Sequence, residues 1–219
     1  MDDRILLIDK PAGMTSFGVV ARVRRVLSEQ QGKKVKVGHT GTLDPFATGL
    51  MIIVVGKECK NAGSYSKLDK VYEATIRLGQ TSTTGDTEGE ITDVSDTIPA
   101  QTKVKKVLEG FIGQTIQRPP IYSAININGQ RAYKLARAGK KVEMPERNVT
   151  IYSLELINYA YPELQIRTHV SSGTYIRSLA EDVGKELGTG AYCAKLRRIN
   201  IADWNVDQAK LLSELGIFD

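Results

Sequence analysis

The sequence predicts an α+β fold built around a mixed, largely antiparallel central sheet that is flanked by helices. Segments with strand-like and helix-like apolar spacing interleave along the 219 residues, but without the regular strand–helix–strand alternation of a parallel α/β fold. No internal repeat or low-complexity linker divides the chain. We therefore predict one domain over residues 1–219, with a basic excursion near residues 126–146.

The first half of the chain contains three predicted strands and two predicted helices. Helices are assigned where apolar residues recur at three and four positions, and strands where short apolar runs lie between turn residues. These elements are a strand at Ile5–Ile8 ended by Pro11, a helix capped by Thr15 or Ser16 with Val19, Val20, Val23, Val26 and Leu27 inward, strands at Leu50–Val55 and Val71–Leu78, and a helix with Val104, Val107, Leu108 and Phe111 inward.

The second half begins with a segment in which apolar and polar residues alternate from Ile121 to Ile127. It ends at Asn128-Gly129, a pair typical of a tight hairpin turn. The remaining predicted elements are a basic helix at Arg131–Ala138 ended by Gly139, strands at Val149–Tyr159 and Leu164–Val170, a helix at Thr174–Leu187, and a last strand at Tyr192–Ile201.

Positive charge is concentrated in two tracts of a chain whose formal net charge is +5. From Arg22 to Lys36 there are six basic residues and one acid, and from Arg118 to Arg147 there are seven basic residues and two acids. The remainder is acidic. Such a distribution predicts a face that binds a polyanion, although basic helix faces solvated by water explain the charge alone equally well.

The composition argues against several classes of protein. The longest apolar run, Leu50–Val55, is far shorter than the roughly 20 residues that cross a bilayer, and the acidic start is not that of a signal peptide. Cys59 and Cys193 are far apart, which suits reduced thiols and a cytoplasmic location. His39 and His169 are the only histidines, and none of these four residues has the spacing of a zinc site.

Two segments that resemble ligand-binding motifs are rejected. Gly49–Lys57 ends like a phosphate-binding loop, but its spacing is too long and Glu58 stands where a Ser or Thr would bind magnesium. The acidic segment with Asp86, Glu88 and Glu90 lacks the glycine of a calcium loop at its sixth position, which is Ile91. We interpret this acidic segment as a solvated turn.

The segment VGHTGTLDPFATGL, residues 37–50, is the most informative part of the chain. Gly38, Gly41 and Gly49 permit backbone conformations and close approaches that other residues block. Pro45 restrains Asp44 to an extended conformation. An acid held between such turns can face a substrate, although an ordinary Asp-Pro turn has the same spacing.

Within this segment, GHTGTLDPFATG resembles the signature of the bacterial TruB family, the tRNA pseudouridine-55 synthases. Five other segments are similar to family motifs and occur in family order: KPAGMTS at 10–16, KVYEA at 70–74, RPPIYSA at 118–124, GTYIRSL at 173–179 and KLRR at 195–198. The resemblance implies the pseudouridine synthase fold. It also implies an isomerase that converts uridine to pseudouridine at position 55, in the T arm of tRNA, without cofactor or metal.

The resemblance assigns three catalytic residues. Asp44 matches the catalytic aspartate, whose carboxylate stabilises or captures the positive charge that develops on the sugar as the glycosidic bond breaks. Whether it adds covalently to the sugar or abstracts a sugar proton stays open. Arg177 matches the arginine that pairs with this aspartate and keeps it ionised. Tyr72 matches the tyrosine that lies against the target base and can relay the C5 proton; a buried core tyrosine is the alternative.

The resemblance also implies how the RNA is held. His39 matches the histidine that supports the flipped-out nucleotides, and Tyr175 and Leu196 would line the uracil pocket, although either could be plain core. The Arg118–Arg147 tract, which contains the basic excursion, matches the region that closes over the T arm. We expect its cations, including Lys140 and Lys141, to set RNA affinity and its salt dependence, and we expect the excursion to be mobile before RNA binds.

Members of this family usually continue into a C-terminal RNA-binding domain, commonly of the PUA type. The sequence stops at Asp219, so we expect the catalytic domain alone. We further expect a tRNA T-stem–loop as partner, no membrane, no obligatory protein partner, and a monomer.

Two other hypotheses remain. The first, an RNA-binding or RNA-folding protein without catalysis, is disfavoured by the presence of Asp44, Tyr72 and Arg177. The second is a guide-RNA-dependent synthase of the eukaryotic and archaeal type, which shares the aspartate loop. Such enzymes need protein partners and extra terminal segments, and the His39-Thr40-Gly41 sequence looks more bacterial.

Overall fold

The computed structural model describes residues 4–140 and 142–217. The strands are β1 (Arg4–Lys10), β2 (Val37–His39), β3 (Thr48–Val55), β4 (Lys70–Leu78), β5 (Gln80–Ser82), β6 (Ile91–Asp93), β7 (Gly113–Gln117), β8 (Asn126–Ile127), β9 (Gln130–Arg131), β10 (Arg147–Ala160), β11 (Glu163–Val170), β12 (Ala191–Ile201) and β13 (Trp204–Asn205). The α-helices are α1 (Ser16–Gln31), α2 (Ala62–Ser66), α3 (Gln101–Gly110), α4 (Ala132–Arg137) and α5 (Ile176–Leu187).

These elements form two compact units. The first contains the described residues up to Tyr72 together with those from Arg197 onward, and the second contains residues 73–196. Strands β4 and β12 contribute residues to both units. The sheet is mixed and flanked by helices, so the predicted α+β class is confirmed.

Strand β3 is the centre of the first unit. It pairs antiparallel with β1 over seven residue pairs, from Arg4↔Val55 to Lys10↔Gly49, and parallel with the end of β12 at Arg197↔Thr48. One face of β3 packs against α1, and Leu50, Ile52 and Val54 on the other face pack against a second cluster. Because both faces are buried, the strand is a continuous apolar run instead of an alternating one.

Helix α1 has one buried and one solvated face. The hydroxyl of Thr15 caps its first turn by accepting a hydrogen bond from the backbone N–H of Gly18. The helix ends at Gly32, whose φ of +62° is the left-handed conformation common after a helix. The buried face packs against β3 and β1 and consists of Val19, Val20, Val23 and Leu27, with Val26 partly buried beside them. The predicted helix is therefore confirmed, including its cap.

The second unit is built on the strand order β12-β4-β11-β10-β7. The neighbours β10 and β11 pair antiparallel, and β7 pairs antiparallel with the start of β10. Helices α3 and α5 bury apolar residues that recur at three and four positions: Val104 and Leu108 from α3, and Ile176, Leu179, Ala180, Val183 and Leu187 from α5.

The predicted elements of the second unit are confirmed with small shifts. Helix α5 begins two residues later than predicted, after Tyr175. Asn128 and Gly129 have φ values of +49° and +85° and join β8 to β9 in the predicted tight turn. Of the alternating residues before that turn, only Asn126 and Ile127 form a strand. No helix in the described part of the chain is long and apolar enough to cross a membrane.

Candidate active site

Asp44 lies in the irregular loop between β2 and β3. Its neighbours Leu43 and Ala47 are buried, whereas Asp44 itself is only half-buried. The backbone N–H of Ala47 donates to the carbonyl oxygen of Asp44 at 3.1 Å. The two apolar neighbours thus anchor the loop while the acid between them stays partly open to solvent.

Lys10 holds one side of this loop. Its side chain is completely buried, and its ammonium donates to the carbonyl oxygens of Pro11, Met14 and Pro45 at 2.8, 2.7 and 3.1 Å. A buried ammonium is stable only when such acceptors replace water. The carbonyl of Pro45, immediately after Asp44, is therefore fixed to the end of β1.

Two other buried side chains complete the support of the loop. The Ser16 hydroxyl donates to the carbonyl of Leu43 at 2.9 Å and accepts from the N–H of the same residue at 2.8 Å. The guanidinium of Arg198 donates from Nε to the carbonyl of Leu50 at 2.7 Å, and more weakly to those of Thr42 and Gly41 at 3.4 and 3.5 Å. These contacts preorganise the backbone on both sides of Asp44 without using its carboxylate.

His39 stands at the end of β2, where it pairs with Ile53 of β3. Burial lowers the pKa of His39 below its ordinary value, and the nearby positive charge of Arg198 lowers it further. Its Nδ1 atom is buried, without a hydrogen-bond partner among the residues that the structure describes. The imidazole is therefore neutral near pH 7, a state suited to packing against a nucleotide.

Tyr72 lies on β4 with a relative exposure of 8%. It shares the buried face of that strand with Ala74, Ile76 and Leu78, since alternate residues of a strand point the same way. Its burial agrees equally with a core side chain and with a ring at the base of a pocket. The assignment of Tyr72 to the target base stays a prediction.

Arg177, on α5, donates hydrogen bonds to acceptors of the second unit. Its relative exposure is 3%. One terminal nitrogen, Nη1, donates to the carbonyl of Thr84 at 2.8 Å and to the Asp86 carboxylate at 3.0 Å, and Nη2 donates to the carbonyl of Tyr122 at 2.9 Å. A guanidinium fixed in this way has a defined orientation. Its predicted pairing with Asp44 stays a prediction.

Asp86 corrects the interpretation of the acidic segment as a solvated turn. Its side chain is only 3% exposed and pairs with Arg177. The same carboxylate accepts hydrogen bonds from the backbone N–H of Glu88 at 2.9 Å and from the Thr84 hydroxyl. The prediction that this turn is solvated is therefore wrong for Asp86. The Asp86 carboxylate is buried because a buried Arg177 cation requires an anion beside it.

Glu181 is a second acid near this ion pair, one helical turn after Arg177 on α5. Burial and, to a smaller extent, the nearby charge of Asp182 raise the pKa of Glu181 to about 7, although the charge of Arg177 opposes the increase. Gly85, at φ +72°, lets the backbone approach this carboxyl, since a Cβ there would lie 2.9 Å from Glu181 Oε1. Glu181 therefore titrates near neutral pH.

Tyr175 precedes α5 and is clamped by Gln117 at the end of β7. The Gln117 side chain accepts from the N–H of Tyr175 at 2.7 Å and donates to its carbonyl at 2.9 Å. The tyrosine side chain packs against the buried cluster of Ile125, Ala132 and Met144. Leu196, on β12, is 7% exposed. Their placement in a uracil pocket stays a prediction.

The basic excursion has local structure of its own. It contains the β8–β9 hairpin and α4, and both are anchored by the Ile125 cluster. Lys140 is exposed just after Gly139, whereas Lys141 lies outside the described residues. Near the two ends of the basic tract that runs from Arg118 to Arg147, the side chains of Arg118 and Glu146 form an exposed ion pair, with 2.8 Å between their charged atoms. The predicted mobility and RNA contact of this segment stay predictions.

The site residues are divided between the two units. His39, Asp44 and Tyr72 belong to the first unit, and Lys140, Tyr175, Arg177 and Leu196 belong to the second. The sequence prediction assigned no support role to Lys10, Ser16, Asp86, Gln117 or Arg198. Lys10, Ser16 and Arg198 lie within family motifs, and this position could have indicated them.

Comparison with known proteins identifies the family of this chain. Residues 24–176 match the family model described as TruB family pseudouridylate synthase, N-terminal domain. Curated relatives named tRNA pseudouridine synthase B include one from Cupriavidus taiwanensis, 44% identical over 218 residues, with 98% of this chain and 68% of the relative covered. Another, from Thermobifida fusca, is 43% identical, with 99% of this chain and 75% of the relative covered.

A solved structure gives the same fold. The structure described as "Crystal Structure of a Cbf5-Nop10-Gar1 Complex" superposes with a TM-score of 0.74 at 27% identity, and the match covers 95% of this chain. This chain spans only about half, 52%, of that solved chain. Fold and family match together define the chain as a pseudouridine synthase, which is an isomerase. It belongs to the TruB family.

Proposed function

We propose that this chain isomerises a uridine to pseudouridine in the T arm of tRNA, at position 55, with Asp44 as the catalytic carboxylate. The observation that supports this most directly is the Asp44 loop, which buried contacts from Lys10, Ser16 and Arg198 hold on both sides. Electrostatic stabilisation is most effective when the charged group is already fixed in position.

The reaction breaks the bond between N1 of uracil and C1′ of ribose and forms a bond between C5 and C1′. Positive charge develops on the sugar as the first bond breaks, and we propose that the Asp44 carboxylate stabilises or captures it. The C5 proton must leave after the base has turned, and Tyr72 is the proposed relay. Arg177, oriented by Asp86, is proposed to keep Asp44 ionised.

The target uridine must leave its stack, at a cost of a few kcal/mol. His39, neutral because burial lowers its pKa, is proposed to support the displaced nucleotides. Contacts of Lys140 and Lys141 with phosphates are proposed to supply affinity. We propose that the chain acts as a monomer without an obligatory protein partner, and that it acts in the cytoplasm.

The test is release of tritium from a T-stem–loop transcript that contains C5-labelled uridine, followed by mapping of the modified nucleotide. We expect Asp44→Asn to abolish release while RNA affinity stays within about twofold, because the side chains have the same shape. Asp203→Asn, at an exposed turn, is the control and should behave as wild type. Turnover by Asp44→Asn comparable to that of the wild type would refute the assignment.

A second measurement concerns the excursion. Charge reversal at Lys140 and Lys141 should weaken RNA binding and reduce the slope of log affinity against log salt by about one for each lost phosphate contact. Lys105→Glu with Lys106→Glu, on the exposed face of α3, is the matched control. Unchanged affinity and slope in the Lys140/Lys141 variant would contradict the proposed clamp.

A further inference from the structure

The solvated face of α1 has features that catalysis by Asp44 does not explain. At its start, Phe17 is 66% exposed, although the helix has an apolar core on its opposite side. Gly18 follows, and the guanidinium of Arg22 lies near it, with Nη1 3.5 Å from the position a Cβ would occupy. An exposed aromatic ring thus stands at the start of a helix whose first turns also carry a cation.

Positive side chains continue along this face and into the turn after it. We call the set consisting of Phe17, Arg22, Arg25, Lys33, Lys34 and Lys36 the α1 strip. Within residues 4–140 and 142–217, no ion pair and no side-chain hydrogen bond involves any of its five cations. Arg24 differs, because it donates to the carbonyl of Val37. The strip is therefore a run of cations without ion-pair partners in that part of the chain, and Glu29, one turn after Arg25 on α1, is the single acid between Arg22 and Lys36.

The strip begins beside the Asp44 loop. Ser16, which precedes Phe17, makes both of its hydrogen bonds to the backbone of Leu43, which precedes Asp44. The start of α1 and the aspartate loop are therefore fixed to one another within the first unit. From there the helix extends about 24 Å at 1.5 Å per residue, which is long enough to follow several successive phosphates.

We propose that the α1 strip is a second RNA-binding surface, which holds the substrate close to Asp44. The cations of the strip bind phosphates of the RNA backbone, and the ring of Phe17 stacks on an unpaired base near the reacting nucleotide. Aromatic stacking combined with basic side chains is the common mode of binding to unpaired RNA. This proposal rests on the proposed function, since it places the strip next to the modified uridine.

Three variants test the two parts of the strip, its cations and its aromatic ring, with a T-stem–loop transcript. Arg25→Glu with Lys33→Glu should weaken binding at least tenfold and reduce the salt slope by about two. Phe17→Ala should weaken binding roughly fivefold or more with the slope unchanged, and Phe17→Trp should restore it, because stacking does not depend on charge. Melting midpoints verify that each variant is folded.

Lys105→Glu with Lys106→Glu makes the same change of charge on α3 and should leave the affinity near that of the wild type. If the Arg25/Lys33 variant matches this control in affinity and slope, the strip does not bind RNA. If the Arg25/Lys33 variant lost binding to phosphatidylserine vesicles while its RNA affinity stayed unchanged, the proposal would also be overturned. Tritium release by the wild type is measured separately. If the wild type releases no tritium, the proposed function fails. If the wild type is active and the strip variants bind RNA as it does, only the proposed role of the α1 strip is refuted.

Discussion

Replacement of Asp86 with Asn tests how much the chain depends on its buried ion pair. The Asp86 and Arg177 side chains are each 3% exposed, and their charged atoms lie 3.0 Å apart. Removal of one partner from a buried pair leaves an uncompensated charge and costs about 3–5 kcal/mol. Asn keeps an acceptor for the N–H of Glu88, so we expect the lower end, about 3 kcal/mol. For a chain of this size that lowers the melting midpoint by roughly 6–12 °C.

Urea denaturation of wild type and variant measures this difference, and an exposed ion pair in the same unit is the control. Glu73 and Arg167 lie 2.7 Å apart but are 39% and 49% exposed. Glu73→Gln should therefore cost less than about 1 kcal/mol, because solvent screens the pair. If Asp86→Asn costs no more than Glu73→Gln, the buried pair is not what stabilises this region.

The remaining predictions concern backbone packing and pH. Gly49→Ala should prevent stable folding, because the φ of Gly49 is +108° and a Cβ there would overlap the carbonyl oxygen of Arg198. Gly63→Ala is the control and should be tolerated, because a Cβ at Gly63 would meet open space. Soluble yield and melting midpoint are compared for the two variants. The pKa of Glu181 is raised from 4.5 to about 7, so the folded state binds more protons and the free energy of unfolding falls as pH rises through that window. Glu181→Gln should flatten this fall in urea titrations at several pH values.

The spacing of apolar residues was sufficient to predict the helices and strands that have large buried faces. Helix α1 and strand β3 were predicted within a few residues because burial alone determines their patterns. Strands β2, β5, β6, β7 and β13 were not predicted, since each is short or polar and exists only through pairing with a neighbour. When a strand is stabilised mainly by pairing with a segment that is distant in the sequence, its own local residue pattern contains little information that predicts it.

The same distinction applies to the site. Asp44 was identified because its loop resembles a family motif, and its proline and glycines constrain the backbone. Asp86 was misinterpreted because its partner Arg177 is 91 positions away. An acid in a Thr-Gly-Asp turn has the same local sequence whether it faces water or a buried cation. Only the tertiary structure distinguishes the two cases.

The discontinuity of the first unit has a consequence for synthesis on the ribosome. Strands β1 and β3 and the Asp44 loop emerge early, but Arg198, which donates to three carbonyls from Gly41 to Leu50, is made more than a hundred residues later. The nascent loop consequently lacks one of its three supports until most of the chain has been translated. Completion of the Asp44 loop is thus a late event in folding.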